Sequence, residues 1–523
     1  MMADKEINQV LDNEIAELYN LADLGSEGQL SVDQFWADLQ YLGILKDDPR
    51  LSKLVQELDQ LEGGLISHEF FDHIIRQNAL VKNALLRNLA IPDFADSEKD
   101  IRAIFEETKL NKEGHVADYI PQLARVNPEH FAVSICTIDG QRLSLGGAYT
   151  PFCLQSTCKP VNYCTAVEEL GAEKVHRHVG REPSGRSFNE LSLNNEGLPH
   201  NPLINAGAIM TASLIKRDEE IADRFDHVTN IWQKLCGNRK VSFNNSVYLS
   251  ERQTADRNFA LAYFMRENKA FPPKTNLVET LEFYFQCCSI ESRTHDLAVA
   301  AATLANGGLN PLSGEVVFSE KTMQNNLSLM LTCGMYDFSG EFAFKIGVPA
   351  KSGVSGALMV VIPNLMGISI WSPRLDHLGN SRRGVDFCER LVEQYAFHNY
   401  DSLSRQTSKK NPRKKKCESQ VNNIVNLIWA ASNGDLEEIK RLDAEGVDLS
   451  MADYDGRTAL HLAASEGWLP VVEYLLKRGV PSEPVDRWGD TPLADAKRTK
   501  HKSVIQLIQQ HQAEEKGKKA PKE

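Results

Sequence analysis

Ser156 and Lys159 stand three residues apart in Phe152-Cys153-Leu154-Gln155-Ser156-Thr157-Cys158-Lys159-Pro160. Apolar and small residues follow at helical spacing (Val161, Tyr163, Cys164, Ala166, Val167, Leu170) until Gly171 ends the pattern. A pair spaced i, i+3 at a helix start shares one face, so a hydroxyl and an amine meet there. A serine hydroxyl attacks a carbonyl only with a base in reach, and lysine serves as that base where burial or a positive field makes its neutral form accessible. The helix N-terminus supplies such a field. Taken alone the motif is weak, because a Ser N-cap followed by an exposed Lys has the same spacing.

Far downstream, Ala350-Lys351-Ser352-Gly353-Val354-Ser355-Gly356 leads into Ala357-Leu358-Met359-Val360-Val361-Ile362, which reads as a buried strand. Pro363-Asn364 then turns the chain into a second strand, Gly367 to Trp371. An early S-x-x-K with a late K-[ST]-G on a hairpin strand is similar to the two-part signature of serine β-lactamases and penicillin-binding proteins. The chemistry it suggests is acyl transfer through a serine ester.

The elements that must position these residues belong to a long chain. At 523 residues it exceeds a single core, so two to four domains are expected. A hydrophobic share of 42% with 25% charged residues is ordinary for soluble protein, and a net charge of −13 argues against a nucleic-acid binder. The ten cysteines contain no C-x-x-C pair, which favours reduced thiols over a disulfide framework or a metal site. His176-Arg177-His178 is the one tight histidine pair and reads as surface histidines, so no metal site is expected. The most apolar window, Val354 to Trp371, is broken by Gly356, Pro363, Asn364 and Gly367, which makes it a hairpin and leaves no membrane span. The start, Met1-Met2-Ala3-Asp4-Lys5-Glu6, has neither a secretory apolar run nor an Arg-rich transit pattern, so the expectation is a cytosolic protein or a targeting segment outside this chain.

Residues 1–96 are helical by period and contain two eroded EF-hand-like loops. In the first, Asp23 to Gln34, Gly28 and Leu30 fit, but Gly25 and Gln34 stand where a calcium loop needs oxygen ligands. The second, from Asp59 through Gly64 and Ile66 to Phe70, is poorer still, so the module is expected to ignore calcium and to serve as an interaction surface. Residues 97–397 form the largest domain. Phe131 to Ile138 alternates before Asp139-Gly140, a hairpin signal. A polar stretch from Arg181 to His200 precedes a small-residue helix beginning at Asn201, and helical patterns run from Leu214 to Ala305. Strands on either side of a helical block imply an α+β domain with the site between sheet and helical lobe. Residues 398–420 read as a solvated, flexible basic linker. Residues 421–513 hold an internal repeat: Trp429 to Asp435 matches Leu462 to Trp468, and Asp455 to His461 matches Trp488 to Ala494, with the ankyrin T-P-L-H signature nearly intact. A lysine-rich tail, 514–523, reads as disordered.

A helical EF-hand-like module, a serine β-lactamase-like domain and an ankyrin tail, in that order, resemble the phosphate-activated mitochondrial glutaminases of animals over essentially the whole chain. The resemblance rests on Gln155 to Pro160, Pro199-His200-Asn201-Pro202 with Asn205 to Ala208, Glu251 with Asp256-Arg257-Asn258-Phe259, Tyr284 to Ser289, Cys333 to Asp337, and Lys351 to Gly356. The loop Phe188 to Asn194 looks closer to the liver-type form, with Ser192 where the kidney type has an aromatic residue. The resemblance implies hydrolysis of L-glutamine to L-glutamate and ammonia, no cofactor, stimulation by inorganic phosphate, a homotetramer or higher assembly, and the mitochondrial matrix. It implies Ser156 as nucleophile, Lys159 as its base, and Tyr284 or Tyr336 as relay of the proton to the leaving ammonia. Tyr119, Gln155, Ser156, Asn205, Glu251, Asn258, Tyr284, Tyr336 and Val354 become the substrate-contacting set, Val354 through its backbone N–H. The residue types agree: a zwitterionic amino acid calls for an anion such as Glu251 and for neutral donors such as amides and phenols. Without the family pattern, Tyr284 reads as core and Glu251 as a surface carboxylate.

Two rivals carry different expectations. A β-lactam-processing enzyme shares the serine–lysine chemistry, yet the chain has no Ser-Asp-Asn element in its middle and carries ankyrin repeats. An ankyrin scaffold with a dead enzyme domain predicts no ammonia release from glutamine at any phosphate concentration, and its partner would be a protein docked on the repeats.

Overall fold

The computed structural model describes Tyr19 and residues 30–519 apart from 62, 186–189, 404–408, 414–415 and 445–446. Most of the first EF-hand-like loop, and Phe188 and Asn189 of the Ser192 loop, lie outside the described residues. Two units are found: residues 1–399 with 410–413, and 400–409 with 414 onward.

In the first unit, helices Val32–Tyr41, Ser52–Asp59, His68–Gln77 and Ala79–Leu85 bury Phe35, Leu39, Leu51, Phe71 and Ile74 against one another. Ser31, Ser67 and Asn78 cap three of them with side-chain oxygens, meeting amide donors that a helix start leaves unpaired. Strand β1 (Leu30–Ser31) pairs antiparallel with β2 (Leu65–Ile66), so the loops come together as a pair. The module is fastened to the next domain by buried polar groups. Gln141 Nε2 donates to the carbonyls of Leu42 (2.8 Å) and Ile91 (3.0 Å). The buried Arg142 guanidinium lies 2.8 Å from Asp47 and 3.8 Å from Asp48, while Arg239 bridges Asp47 and Asp296.

The central sheet contains β3 (Ala132–Thr137), β4 (Arg142–Gly146), β8 (Ala350–Ser352), β9 (Ala357–Ile362) and β10 (Met366–Trp371), all antiparallel in the order β4-β3-β10-β9-β8. All six residues of β9 and all six of β10 are buried, because both faces are covered and no polar alternation is required. Ala357, Met359 and Val361 face the helical lobe; Leu358, Val360 and Ile362 face the other core, with residues of helices Phe94–Lys109 and Arg382–Gln394. Helix Thr294–Ala305 has every side chain buried and passes so close to Gly367 that a Cβ there would fall 2.1 Å from the Ala302 nitrogen.

Several expectations are corrected. The helical stretch from Leu214 to Ala305 is interrupted by β6 (Ser242–Phe243) and β7 (Ile290–Ser292), which join β5 (Phe152–Cys153) in a second small sheet, β5-β7-β6. The small-residue helix starts at Asn205 rather than Asn201, because the Asn201 side chain accepts from the Leu203 and Ile204 amides and holds a turn before Asn205. His176 and His178 are half-buried structural groups: His176 bonds the Tyr163 hydroxyl and the Val179 carbonyl, and His178 the Ala270 carbonyl. Residues 410–413 of the basic linker return to the first unit. Lys410 pairs by backbone with Gln394 and Ala396 and by side chain with Asp100, and Arg413 donates to the Pro363 carbonyl.

The second unit stacks three helix pairs, Lys416–Asn433 with Leu436–Ala444, Ala459–Glu466 with Leu469–Lys477, and Pro492–Thr499 with Lys502–Lys519. Asp453 accepts from the amides of Asp455 and Arg457, and 33 residues on Asp486 does the same for Trp488 and Asp490, so the repeat is conformational as well as sequential. The last helix runs to Lys519, where disorder was expected from residue 514 onward. Gln, Ala, Glu and Lys are strong helix formers, which suits the helix in this stretch.

Candidate active site

Ser156 lies in a 3₁₀ turn, Gln155–Cys158, that runs directly into helix Lys159–Leu170. In a 3₁₀ turn residues i and i+3 eclipse, which brings Ser156 and Lys159 to one side of the chain more closely than an α-turn would. The turn follows β5 and packs on the end of β8, where Gly353 leaves room for the Leu154 carbonyl; a Cβ would sit 2.8 Å from that oxygen. The two halves of the sequence signature, their lysines 192 residues apart, therefore meet at one place.

Lys159 is buried, its Nζ donates to Asn205 Oδ1 at 2.7 Å, and burial lowers its pKa to about 8. The same amide oxygen accepts from the Tyr284 hydroxyl at 3.5 Å. The buried Tyr336 hydroxyl faces Ser156; burial raises its pKa and Ser156 draws it partly back. Around Glu251 a second chain forms: its Oε1 accepts from Tyr119 OH at 2.6 Å and from Gln155 Nε2 at 2.9 Å. Burial raises the Glu251 pKa against the opposing effect of those two bonds. The Tyr119 ring is 46% exposed while its hydroxyl points inward, where burial and the Glu251 charge push its pKa up. Val354 packs with Ile120, Cys153 and Val247, beside the segments that carry Tyr119 and Glu251. Its turn is closed by the Gly356 amide donating to the Gly353 carbonyl.

Nine expected residues thus fall into one neighbourhood. Asn258 lies in the first turn of helix Asp256–Glu267, which packs against helix Asn205–Leu214 and the helix Leu277–Cys288 that carries Tyr284; its Oδ1 is buried without a hydrogen-bond partner. Two of the nine have left-handed backbones, Gln155 at φ +50° and Tyr336 at φ +53°. Non-glycine residues held in that region collect at functional sites, and no residue pattern in the chain announces them. A cavity of about 520 Å³ opens beside Tyr336, lined also by Ser184, Asn201, Cys333 and Asp337. The arrangement supplies a hydroxyl, a buried amine able to be neutral, two phenols and an anion. Among the described residues no cluster of side chains suits a metal ion, and no helix is long and apolar enough to cross a membrane.

An antiparallel sheet with a serine and a lysine between it and a helical lobe defines a serine β-lactamase-like hydrolase fold, flanked by an EF-hand domain and ankyrin repeats. Family models match in the same order: EF-hand domain over residues 15–92, glutaminase over 114–400, and ankyrin repeats in three copies over 427–519. The mitochondrial liver isoform of glutaminase from Rattus norvegicus is 45% identical over 495 residues, covering 93% of this chain and 82% of its own. A glutaminase from Nostoc sp. is 44% identical over 306 residues, covering 58% of this chain and 90% of its own, so its likeness is confined mainly to the central domain. A solved structure described as "Probable glutaminase ybaS" superposes with a TM-score of 0.53 at 36% identity, covering 56% of this chain and 94% of that one. The chain belongs to the glutaminase family.

Proposed function

We propose that this chain hydrolyses L-glutamine to L-glutamate and ammonia through a γ-glutamyl ester on Ser156. The family and its relatives support glutaminase activity. The observation that carries the mechanism is Lys159, buried three residues from Ser156 with its amine held by Asn205 and its pKa lowered to about 8. A neutral amine there takes the Ser156 proton as Oγ attacks the side-chain amide carbon. The carbonyl becomes an oxyanion facing the backbone N–H groups of Ser156 and Val354, a role that fixed donors perform well in a water-poor site. As the tetrahedral intermediate collapses, the C–N bond breaks and ammonia leaves with a proton relayed by Tyr336 or Tyr284. Water then attacks the ester and Lys159 accepts its proton in turn. Glu251 meets the substrate ammonium, with Tyr119, Gln155, Asn205 and Asn258 filling the remaining polar positions.

Inorganic phosphate is the activator, and the working state is a tetramer or higher assembly. The matrix location is carried over from the mitochondrial relative, and the ankyrin array is the surface for a protein partner. The test is ammonia release from glutamine by purified protein, with and without phosphate, together with mass spectrometry after an electrophilic glutamine analogue. An adduct on Ser156 is expected. An adduct on Cys158 or Cys153 replaces the ester route with a thiol one, and no ammonia at any phosphate level ends the glutaminase reading.

A further inference from the structure

Lys351 has no place in the reaction just described, yet its side chain is wholly buried beside it. Its Nζ donates to the Ser352 carbonyl at 2.7 Å and the Gly334 carbonyl at 3.1 Å, and stands 4.5 Å from the centre of the Tyr336 ring. Gly334 O also accepts from the Ser352 amide at 3.1 Å. One carbonyl is thereby stitched twice to β8, from the residue just before Met335 and Tyr336. The approach leaves no room for a side chain, since a Cβ on Gly334 would lie 1.7 Å from the Ala350 oxygen. The far side of the same turn is held separately: Ser339 Oγ accepts from the Met335 amide at 2.9 Å and donates to the Tyr336 carbonyl at 2.7 Å.

These contacts enclose a residue at φ +53°, a conformation that persists only where the surroundings over-determine it. We propose that Lys351 is a positioning residue that holds the Tyr336 hydroxyl on Ser156, bracing the left-handed turn through Gly334 and supporting the Tyr336 ring from its face, without touching substrate. The inference rests on the serine mechanism with Tyr336 as a participant. Burial, and after it the nearby Lys159, lowers the Lys351 pKa well below the ordinary lysine value, and the amine donates to both carbonyls whether charged or neutral. Cys158, Cys333 and Cys288 are the other titratable groups facing it, and they oppose that lowering without outweighing burial.

The test is steady-state kinetics of Lys351→Met, Tyr336→Phe and the double variant in the full chain. A reacting group displaced by about 1 Å loses on the order of a hundredfold in rate, so Lys351→Met should lower kcat by about that factor with KM within about twofold. Because its effect passes through Tyr336, the double variant should be no slower than Tyr336→Phe alone. The acid limb of the pH profile, set by Lys159, should keep its midpoint in Lys351→Met. Independent, multiplying losses in the double variant overturn the proposal, as does a raised KM alone or an acid-limb midpoint shifted upward by removal of a positive charge. Full activity of Tyr336→Phe sinks the underlying mechanism instead, which separates the two failures. Should Lys351→Met not fold, Ser339→Ala removes the opposite brace of the same turn. It should show the same loss in kcat, masked again by Tyr336→Phe, and unchanged kcat counts against the brace.

Discussion

A base that must lose its proton before it can act writes its pKa into the rate. With Lys159 titrating at about 8 through burial, kcat/KM at fixed phosphate should fall about tenfold for each pH unit below that point and level off above it. A profile flat between pH 6 and 9 removes Lys159 from the role of base. Ser156→Ala and Lys159→Ala should each lose several orders of magnitude, on the order of 10³-fold or more, with the double variant little worse, because groups that act as one unit do not contribute additively. Ammonia release resolves this directly. The types and spacing of these two residues were legible in the chain. The inward turn of Lys351 and the left-handed backbones of Gln155 and Tyr336 were not, since they are imposed by β8 and by the turn after helix Glu320–Cys333, distant in sequence. Asn258 shows the reverse case: the family motif names it, and its amide oxygen is buried without a hydrogen-bond partner.

Among elements, β9, β10 and the helix beneath them depend on a missing side chain. Gly367→Ala puts a methyl 2.1 Å from the Ala302 nitrogen and 2.3 Å from the Ala301 carbonyl carbon, where only backbone can yield. It should destabilise by about 3 kcal/mol, at the upper end for overpacked cores, read as a lowered Tm; an unchanged Tm contradicts the packing described. The EF-hand module offers a second test at its joint. Arg142→Ala strips a fully buried guanidinium from buried Asp48, and breaking buried ion pairs typically costs about 3–5 kcal/mol. Arg50 still pairs with Asp48, so about 3 kcal/mol is expected, with proteolysis entering the module first. Equal protection of module and domain against protease counts against that joint. Long apolar strands and capped helices could be read from the chain because each carries a repeating physical pattern. The β5-β7-β6 sheet could not, as strands of two or three residues are too short to show a period.

For the molecule as a whole, self-association is expected through the central domain. Helix Asp256–Glu267 leaves Tyr263 46% exposed with the Arg266 guanidinium stacked 4.6 Å from its ring, a pairing suited to an interface. Sedimentation of Tyr263→Asp should show weaker association than the parent chain, and a parent that stays monomeric at every concentration and phosphate level dismisses the surface. The order of the three modules was readable because each has its own periodicity, whereas the return of residues 410–413 to the first unit depends on partners such as Asp100 and Gln394 that no linker composition reveals. One last consequence concerns selection. Holding Gln155 and Tyr336 at positive φ costs on the order of 1–3 kcal/mol each, and glycine accepts that conformation without strain. A library of this chain screened by survival at high temperature should therefore accumulate glycine at 155, but not at 336, where deleting a buried aromatic side chain typically costs about 3–5 kcal/mol, more than the strain it relieves. The survivors would lack the amide that holds Glu251, and the fittest proteins by that measure would be poorer enzymes.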